Sequence, residues 1–348
     1  MKIDFLLVGQ GLAGSILAYR LIKKGKSVRV FDTPQKNLSS RVAAGLYNPI
    51  TGRKMLKTWR ADDLFPEIEK FYSEIENETQ SSFIESTPIY RPFLTIEEQN
   101  EWMGKSAEPN FKPYVDRVLK SSMDPAVNDP FGGILLKNCG WLATDKFLDA
   151  MVDWLGESLI QERFDETLLV KGENEWLYGN DEFSSIIFCN GLGAMNSKFF
   201  GFLPFAPSKG EILEVNQEYD PDIIINRGVF RVSLGKGRFR VGSTYTKHDL
   251  DQGITEKSKI ELIRRLADLM NEPLVEIISH KYGIRPATRD RKPFLGKHPH
   301  EEGVYSFNGF GAKGVSLIPF FSKIMVDFIT ENRPLDREID IERYFNYI

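Results

Sequence analysis

The sequence predicts an α/β protein in which a parallel sheet is spread along the chain and interrupted by a second, mostly antiparallel β domain. Three observations carry this. "KIDFLLVGQGLAGSILAYRLIKKGKSVRVFD", from Lys2, reads as strand, turn, helix, strand. A further buried strand ending in glycine comes in the middle, at "SSIIFCNGLGA", and strand, Gly-rich turn and helix return near the end, at "VYSFNGFGAKGVSLIPFFSKIMVDFI". Between these stretches the apolar residues alternate with polar ones, as half-buried antiparallel strands require.

Each element has its own signal. Phe5 to Val8 is an unbroken apolar run, which a strand buried on both faces needs. Ile16, Leu17, Tyr19, Leu21 and Ile22 give a helical stripe that Gly25 ends, and Val28 to Phe31 is the next buried strand. Residues 62–80 read as an acidic helix. From 81 to 139 the chain carries Pro88, Pro92, Pro109, Pro113, Pro125 and Pro130 and is expected to be irregular. "TDKFLDAMVDWLGESL" predicts a helix capped by Thr144. Ile186 to Cys189 is a buried strand ending at Asn190 and Gly191. "KGEILEV", "GVFRVSL" and "GRFRVGSTY" read as antiparallel strands, "EKSKIELIRRLADLM" as an amphipathic helix, and "EIISHKYGIRP" as a further strand. Residues 1–80, 140–203 and 281–348 are assigned to one domain, and 81–139 and 204–280 to the other.

The chain has 348 residues, 41% hydrophobic and 27% charged, with a formal net charge of −4. This is ordinary globular composition, and it lacks the basic excess of a general nucleic-acid binder. Asp4 and the early glycines break the N-terminal apolar run, so no signal peptide is read there. The last apolar stretch is too short for a bilayer and contains Pro319, Lys323 and Asp327. Cys139 and Cys189 are far apart and read as reduced thiols, so a cytoplasmic protein is expected. Four histidines, two of them flanking Pro299, argue against a catalytic triad or a zinc site.

Gly9, Gly11 and Gly14 form G-x-G-x-x-G between a buried strand and a helix, and Asp32 ends the next strand. Gly9 permits a tight turn, Gly11 a close approach of pyrophosphate to the backbone, and Gly14 close packing of helix on strand. The helix N-terminus attracts phosphate, and Asp32 accepts hydrogen bonds from a ribose diol, which disfavours a 2′-phosphate. The loop alone leaves NAD and FAD open.

The remaining motifs are more specific. "SSRVAAGLYNPITGR" (39–53), "IIFCNGLGA", "PSKGEIL", "FRVGSTYTKHD", "GIRPATRDRKPFLGKHP" and "NGFGAKGV" come in an order that resembles the D-amino-acid-oxidase-like family of FAD enzymes. Within that family the look is nearest to glycine oxidases and to the FAD domain of the bifunctional enzyme of tRNA methylaminomethyl-uridine synthesis. The resemblance implies a discontinuous Rossmann-type FAD domain with a sheet-rich substrate domain. It implies an enzyme that moves a hydride from the carbon bearing nitrogen of a small amino acid or secondary amine acid to the flavin. The reduced flavin would pass its electrons to oxygen or another acceptor.

It also implies residue roles. Gly9, Gly11, Leu12, Ala13, Gly14, Asp32 and Thr33 would bind the nucleotide half. Ser39, Ser40, Arg41, Ala43, Ala44, Gly45 and Leu46 would line the flavin, with Asn190 and Gly191 near the diphosphate. Gly309, Phe310, Gly311, Ala312, Lys313, Gly314 and Val315 would cap the pyrimidine ring at a helix N-terminus. Some relatives attach FAD through a cysteine in the G-x-R-P region; Gly283 stands there in this chain, so noncovalent FAD is expected. Phe310 and Ala312 replace the His and Arg of glycine oxidases, and Arg41 replaces a small residue, which leaves the substrate open. Arg285, between Ile284 and Pro286, is the expected carboxylate clamp. Tyr245, Phe230 and Lys313 complete the expected catalytic face, with Phe230 inward and Arg231 outward by alternation. Arg289, Arg291 and Lys292 are expected on a solvated turn. A tRNA-uridine demodifying enzyme and a flavin-binding module without turnover are the alternatives. No membrane or nucleic-acid partner is expected, and the oligomeric state is open.

Overall fold

The computed structural model describes residues 1–33, 39–274 and 276–347. Its first sheet is built from three distant parts of the chain. Lys2–Val8 lies between two parallel neighbours, Val28–Phe31 and Asp181–Phe188. Val304–Asn308 adds parallel to Asp181–Phe188, and Phe294–Lys297 pairs with it as an antiparallel edge. Side chains alternate between two cores. Leu7 and Ile187 pack with the helices Leu12–Lys23 and Gly314–Glu331, while Leu6, Ile186 and Phe188 pack with Phe199 and Phe200 on the other face. Each such buried side chain contributes about 1.5–3 kcal/mol relative to exposure.

The helix Gly314–Glu331 has Pro319 in its sixth position. Proline has no N–H, so the Val315 carbonyl four residues earlier loses its helical donor. The buried Tyr72, from the helix Ala61–Thr79, donates its hydroxyl to that oxygen at 3.0 Å. Arg20 braces the same turn, donating to the Pro319 carbonyl (2.9 Å) and Ser322 Oγ (2.8 Å). The start of this helix is thereby fixed against two others.

The second sheet has eight strands. In order across the sheet they are Glu276–Arg285, Ser208–Asn216, Arg238–Gly242, Val229–Gly235, Ile224–Arg227, Ile89–Pro92, Gly133–Leu136 and Val115–Leu119. All neighbours are antiparallel except Ile224–Arg227 beside Ile89–Pro92. The helix Glu256–Leu269 covers one face through Leu262, Leu266 and Leu269.

Several expectations change. The stretch 81–139 is ordered: it supplies four strands and the helix Ile96–Lys105, because its prolines fall at strand ends and in loops. Thr144 does not cap its helix. The capping position is Ala143, and the wholly buried Thr144 turns its hydroxyl to the Ala43 carbonyl at 3.4 Å. The strand of "GRFRVGSTY" stops at Gly242, leaving Tyr245 on a loop. Arg231 does face opposite to Phe230, but it is buried rather than solvated, its guanidinium 3.5 Å from the Phe239 ring centroid and bonded to Gln217 at 2.8 Å. Glu276–Arg285 runs past residue 281 within the second sheet, and Ile84–Ser86 pairs with Gly140–Leu142 in a small sheet joining the two parts. No described helix is long and apolar enough to cross a membrane.

Candidate active site

One cavity of about 2340 Å³ runs from the glycine loop, between the two sheets, to the second sheet's face. At its first end the chain turns sharply after Val8. Gly9 sits at φ 101°, where a side chain is strained, and a Cβ there would lie 2.9 Å from the Asn190 backbone. A Cβ at Gly14 would lie 1.8 Å from the Gly9 carbonyl oxygen, so helix and loop touch only because both residues are glycine. The helix has no side-chain cap and no acid in its first turn. Ser40 Oγ accepts the Leu12 N–H at 3.3 Å. The free end of this helix is suited to an anion.

Asp32 is held at the end of its strand by N–H groups of Gln10 and Thr33, and burial raises its carboxyl above the usual value. Among the described residues no cation lies within 4.0 Å of it. Its oxygens are available to hydroxyl donors. Phe164, Thr167 and Leu168 extend this end of the cavity.

Farther along, Ala43 to Leu46 form one wall and the loop from Asn308 to Gly314 another. Asn308 Nδ2 donates to the Gly191 carbonyl at 2.9 Å, and the Gly311 N–H donates to the Pro286 carbonyl at 3.2 Å, so three motifs are pinned together. Lys313 precedes the helix Gly314–Glu331. Among the described residues its Nζ reaches only the Thr51 and Thr58 hydroxyls, at 3.5 and 3.4 Å, and burial lowers its pKa, with Arg291 adding to the effect.

Arg285 ends its strand over a gap in the sheet surface. Its Nη2 donates to Ser243 Oγ (2.7 Å) and the Thr244 carbonyl (3.3 Å), and its Cζ lies 4.2 Å from the Tyr245 ring centroid. A Cβ at Gly210 would lie 1.9 Å from Nη2, so the missing side chain leaves the guanidinium its bed. Phe230 covers Gly242 in the same way, its ring 2.8 Å from where a Cβ would be. No described Asp or Glu lies within 4.0 Å of Arg285, and burial lowers its pKa.

These shapes match known proteins. The family model described as "FAD dependent oxidoreductase" (DAO) matches residues 4–328. The chain belongs to this family. It is 23% identical over 382 residues to the tRNA 5-methylaminomethyl-2-thiouridine biosynthesis bifunctional protein MnmC of Legionella pneumophila (strain Corby), covering 94% of this chain and 54% of that protein. The chain thus spans about half the length of the curated relatives it matches first. In fold it is similar to the glycine oxidase of Geobacillus kaustophilus (TM-score 0.79, 20% identity, 99% of this chain and 98% of that one). It is also similar to the iminodiacetate oxidase of Chelativorans sp. BNC1 (TM-score 0.76, 18% identity, 98% of each chain).

The cavity fits FAD. Its ungated helix end suits a diphosphate, Asp32 a ribose, and its length from Phe164 to Arg285 a nucleotide joined to a ring system. Gly9, Gly11, Leu12, Ala13, Asp32, Thr33, Ser39, Ser40, Ala43 to Leu46, Asn190, Gly191 and Phe310 to Val315 line it, as do Phe230, Tyr245 and Arg285. Gly14, Arg41 and Gly309 do not. Gly14 serves helix packing, Gly309 packs between Thr288 and Phe294, and Arg41 pairs with Asp149 at 2.7 Å. Cys189 lines the cavity, but burial pushes its thiol well up and away from reactivity, and Gly283 packs on Ser39 and Val42. Arg289 and Arg291 are exposed, and Asp290 bonds Arg343 and Tyr344. Lys292 lies 3.5 Å over the Trp59 ring, which no local pattern indicated.

Sequence reading missed Ser243, Gly210 and Phe164. The first two lie inside quoted motifs, and their role emerges only from the register that sets Ser208–Asn216 between Arg285 and Gly242.

Proposed function

We propose that the protein oxidises the C–N bond of a small amino acid or secondary amine acid, with noncovalent FAD, and that Arg285 holds the substrate carboxylate. The observation that carries this is Arg285 itself: a half-buried guanidinium, facing the cavity, with hydroxyl and carbonyl partners but no acid among the described residues. A desolvated guanidinium is costly without an anion, and a carboxylate offers it two parallel hydrogen bonds. Bound FAD supplies the hydride acceptor.

The protein's part is position and charge. Tyr245 and Ser243 orient the guanidinium, and Phe230 excludes water beside it. No histidine lines the cavity among the described residues, and its carboxylates lie at the nucleotide end (Asp32, Asp165, Glu166) or are paired, as Asp268 is with Arg264 at 2.7 Å. The arrangement has no base at Arg285, which suits an amine that reacts neutral. The uncapped helix end and Lys313 place positive potential where Phe310 to Val315 would meet the flavin.

Purified FAD-loaded protein should be yellow, and glycine, sarcosine or a D-amino acid should bleach it under anaerobic conditions. Arg285→Ala should raise KM for carboxylated substrates about 30-fold or more, as expected when a desolvated charge pair is truncated. Absence of bleaching by every amine in the panel sinks the proposal and leaves a module that binds FAD without turnover.

A second reading has one observation in its favour: the match to MnmC covers nearly the whole chain. In it the same chemistry acts on a carboxymethylaminomethyl group of a tRNA uridine. The rim arginines Arg264 and Arg265 are tied to Asp268 and Glu261, which reduces the free positive charge these two offer a polyanion. Flavin bleaching by modified tRNA, but by no free amino acid, would replace the first reading with this one.

A further inference from the structure

Part of the cavity wall has no role in the chemistry just described. Among the described residues, Arg91 Nε, Arg227 Nη1 and Asn48 Nδ2 are buried donors without acceptors. The three residues are 4%, 8% and 8% exposed, and all line the cavity. A buried donor left unmet costs about 1–3 kcal/mol, and more when it is charged. Three such donors bordering one cavity call for oxygen acceptors.

The surrounding bonds hold them in place. Arg91 Nη1 and Nη2 donate to the carbonyls of Ile50 (3.4 Å) and Gly52 (2.9 Å), and Asn48 Oδ1 accepts the Ile50 N–H at 3.0 Å. Arg227 Nη2 pairs with Glu98, whose other oxygen accepts the Leu94 N–H at 2.9 Å. No described carboxylate lies within 4.0 Å of Arg91. Burial, with Arg227 nearby, pulls its pKa down to about 10, which leaves it charged at neutral pH. Two guanidiniums thus face one carboxylate, and a buried positive charge is left uncompensated.

The strand order places this group relative to Arg285. Arg91 lies on Ile89–Pro92, three strands from Arg238–Gly242, whose following residue Ser243 holds Arg285. At about 4.8 Å per strand the separation across the sheet is about 14 Å, shortened by two long side chains.

We propose that Arg91, with Arg227 and Asn48, forms a second anion subsite, and that the substrate is an amine bearing two acids: one carboxylate on Arg285 and a distal carboxylate at Arg91. This rests on Arg285 as the first clamp. It excludes glycine as the best substrate and selects secondary amines or amino acids with a carboxylate several bonds beyond nitrogen.

The test uses FAD-loaded protein. A series of N-(ω-carboxyalkyl)glycines is compared with the corresponding terminal amides, and inert dicarboxylates with monocarboxylates of equal length in flavin difference titrations. One chain length should favour acid over amide about tenfold or more in kcat/KM, and Arg91→Gln should bring that ratio close to unity. Should Arg91→Gln fail to fold, Arg227→Gln is read in its place, and the dicarboxylate titration of the unaltered protein stands independently. Equal handling of acid and amide at every length overturns the subsite, as does an acid-to-amide ratio that the variants leave unchanged. Displacement of dicarboxylates by tRNA, without discrimination among the small acids, would assign the wall to a polynucleotide and also overturn it. The two proposals fail separately. If glycine or sarcosine bleaches the flavin while dicarboxylates show no preference, only the subsite falls. If no amine bleaches it, the titration still reads the subsite.

Discussion

At the scale of single residues, the cavity works by leaving charges without their usual partners. Asp32 has backbone donors but, among the described residues, no cation within 4.0 Å, and burial holds its carboxyl above the ordinary value of 3.8. Its charged form is the one that accepts ribose hydroxyls, so FAD affinity should weaken as pH falls through this raised range. Asp32→Asn should weaken FAD binding at neutral pH by about tenfold, measured by fluorescence titration of the apoprotein. Arg285 is kept available by what is missing beneath it. Gly210→Ala would place a methyl 1.9 Å from its Nη2 and push the guanidinium off the sheet. The expected result is retained FAD with a KM raised as in Arg285→Ala. A variant that loses FAD instead would show that Gly210 supports the fold rather than the clamp.

At the scale of elements, the helix Gly314–Glu331 is the one on which the flavin end depends, and its first turn is satisfied from outside. Tyr72→Phe leaves the Val315 carbonyl without the donor that Pro319 denies it, which should cost about 1–3 kcal/mol in denaturant unfolding. Pro319→Ala in the same background should restore part of that loss by returning a helical donor. The loop after Gly242 is likewise anchored from a neighbouring strand. The buried Glu211 carboxylate accepts from Thr255 N (2.8 Å) and Thr255 Oγ1 (2.9 Å), closing the loop that carries Ser243 to Tyr245. These dependencies show what was legible in the sequence. The glycine loop, Asp32 and the buried strands were readable because their geometry is local, within one crossover unit. Arg285 could be singled out by its flanking Ile284 and Pro286 and by its motif, and it does line the cavity, while its role as a clamp is the proposal made above. Arg91, Asn48, Ser243 and Tyr72 were not, because each acquires its partner through strand order or helix packing across long stretches of chain. The stretch 81–139 was misread because its prolines mark the edges of strands rather than their absence.

At the scale of the whole molecule, the two sheets meet along the cavity, so a ligand that fills it should stabilise both. FAD at about a hundred times its dissociation constant adds about 2.7 kcal/mol to the folded state, and the melting temperature should rise by several degrees with FAD concentration. Acid should act on the second sheet. Burial alone would raise the Glu211 and Glu214 carboxyls. Thr255, Ser258 and Lys209 outweigh burial at Glu211, and Lys281 and Arg240 do so at Glu214, leaving both below their ordinary 4.5. Groups with depressed folded values stabilise above the unfolded pKa and lose that contribution as pH falls through the folded one. The melting temperature should therefore start to decline near pH 4.5 and keep falling below it, and Glu214→Gln should flatten that slope.

The order in which the first sheet's strands leave the ribosome has a consequence of its own. Lys2–Val8 finds its central partner only at residues 182–188, and that strand's parallel neighbour lies at 304–306. The glycine loop is synthesised some three hundred residues before the walls from Asn308 to Val315. A nascent chain therefore exposes the loop long before it can hold FAD, and cofactor capture waits until those walls have emerged. Stalled chains of increasing length should show FAD retention appearing abruptly once residue 331 has cleared the exit tunnel, rather than growing with each added strand.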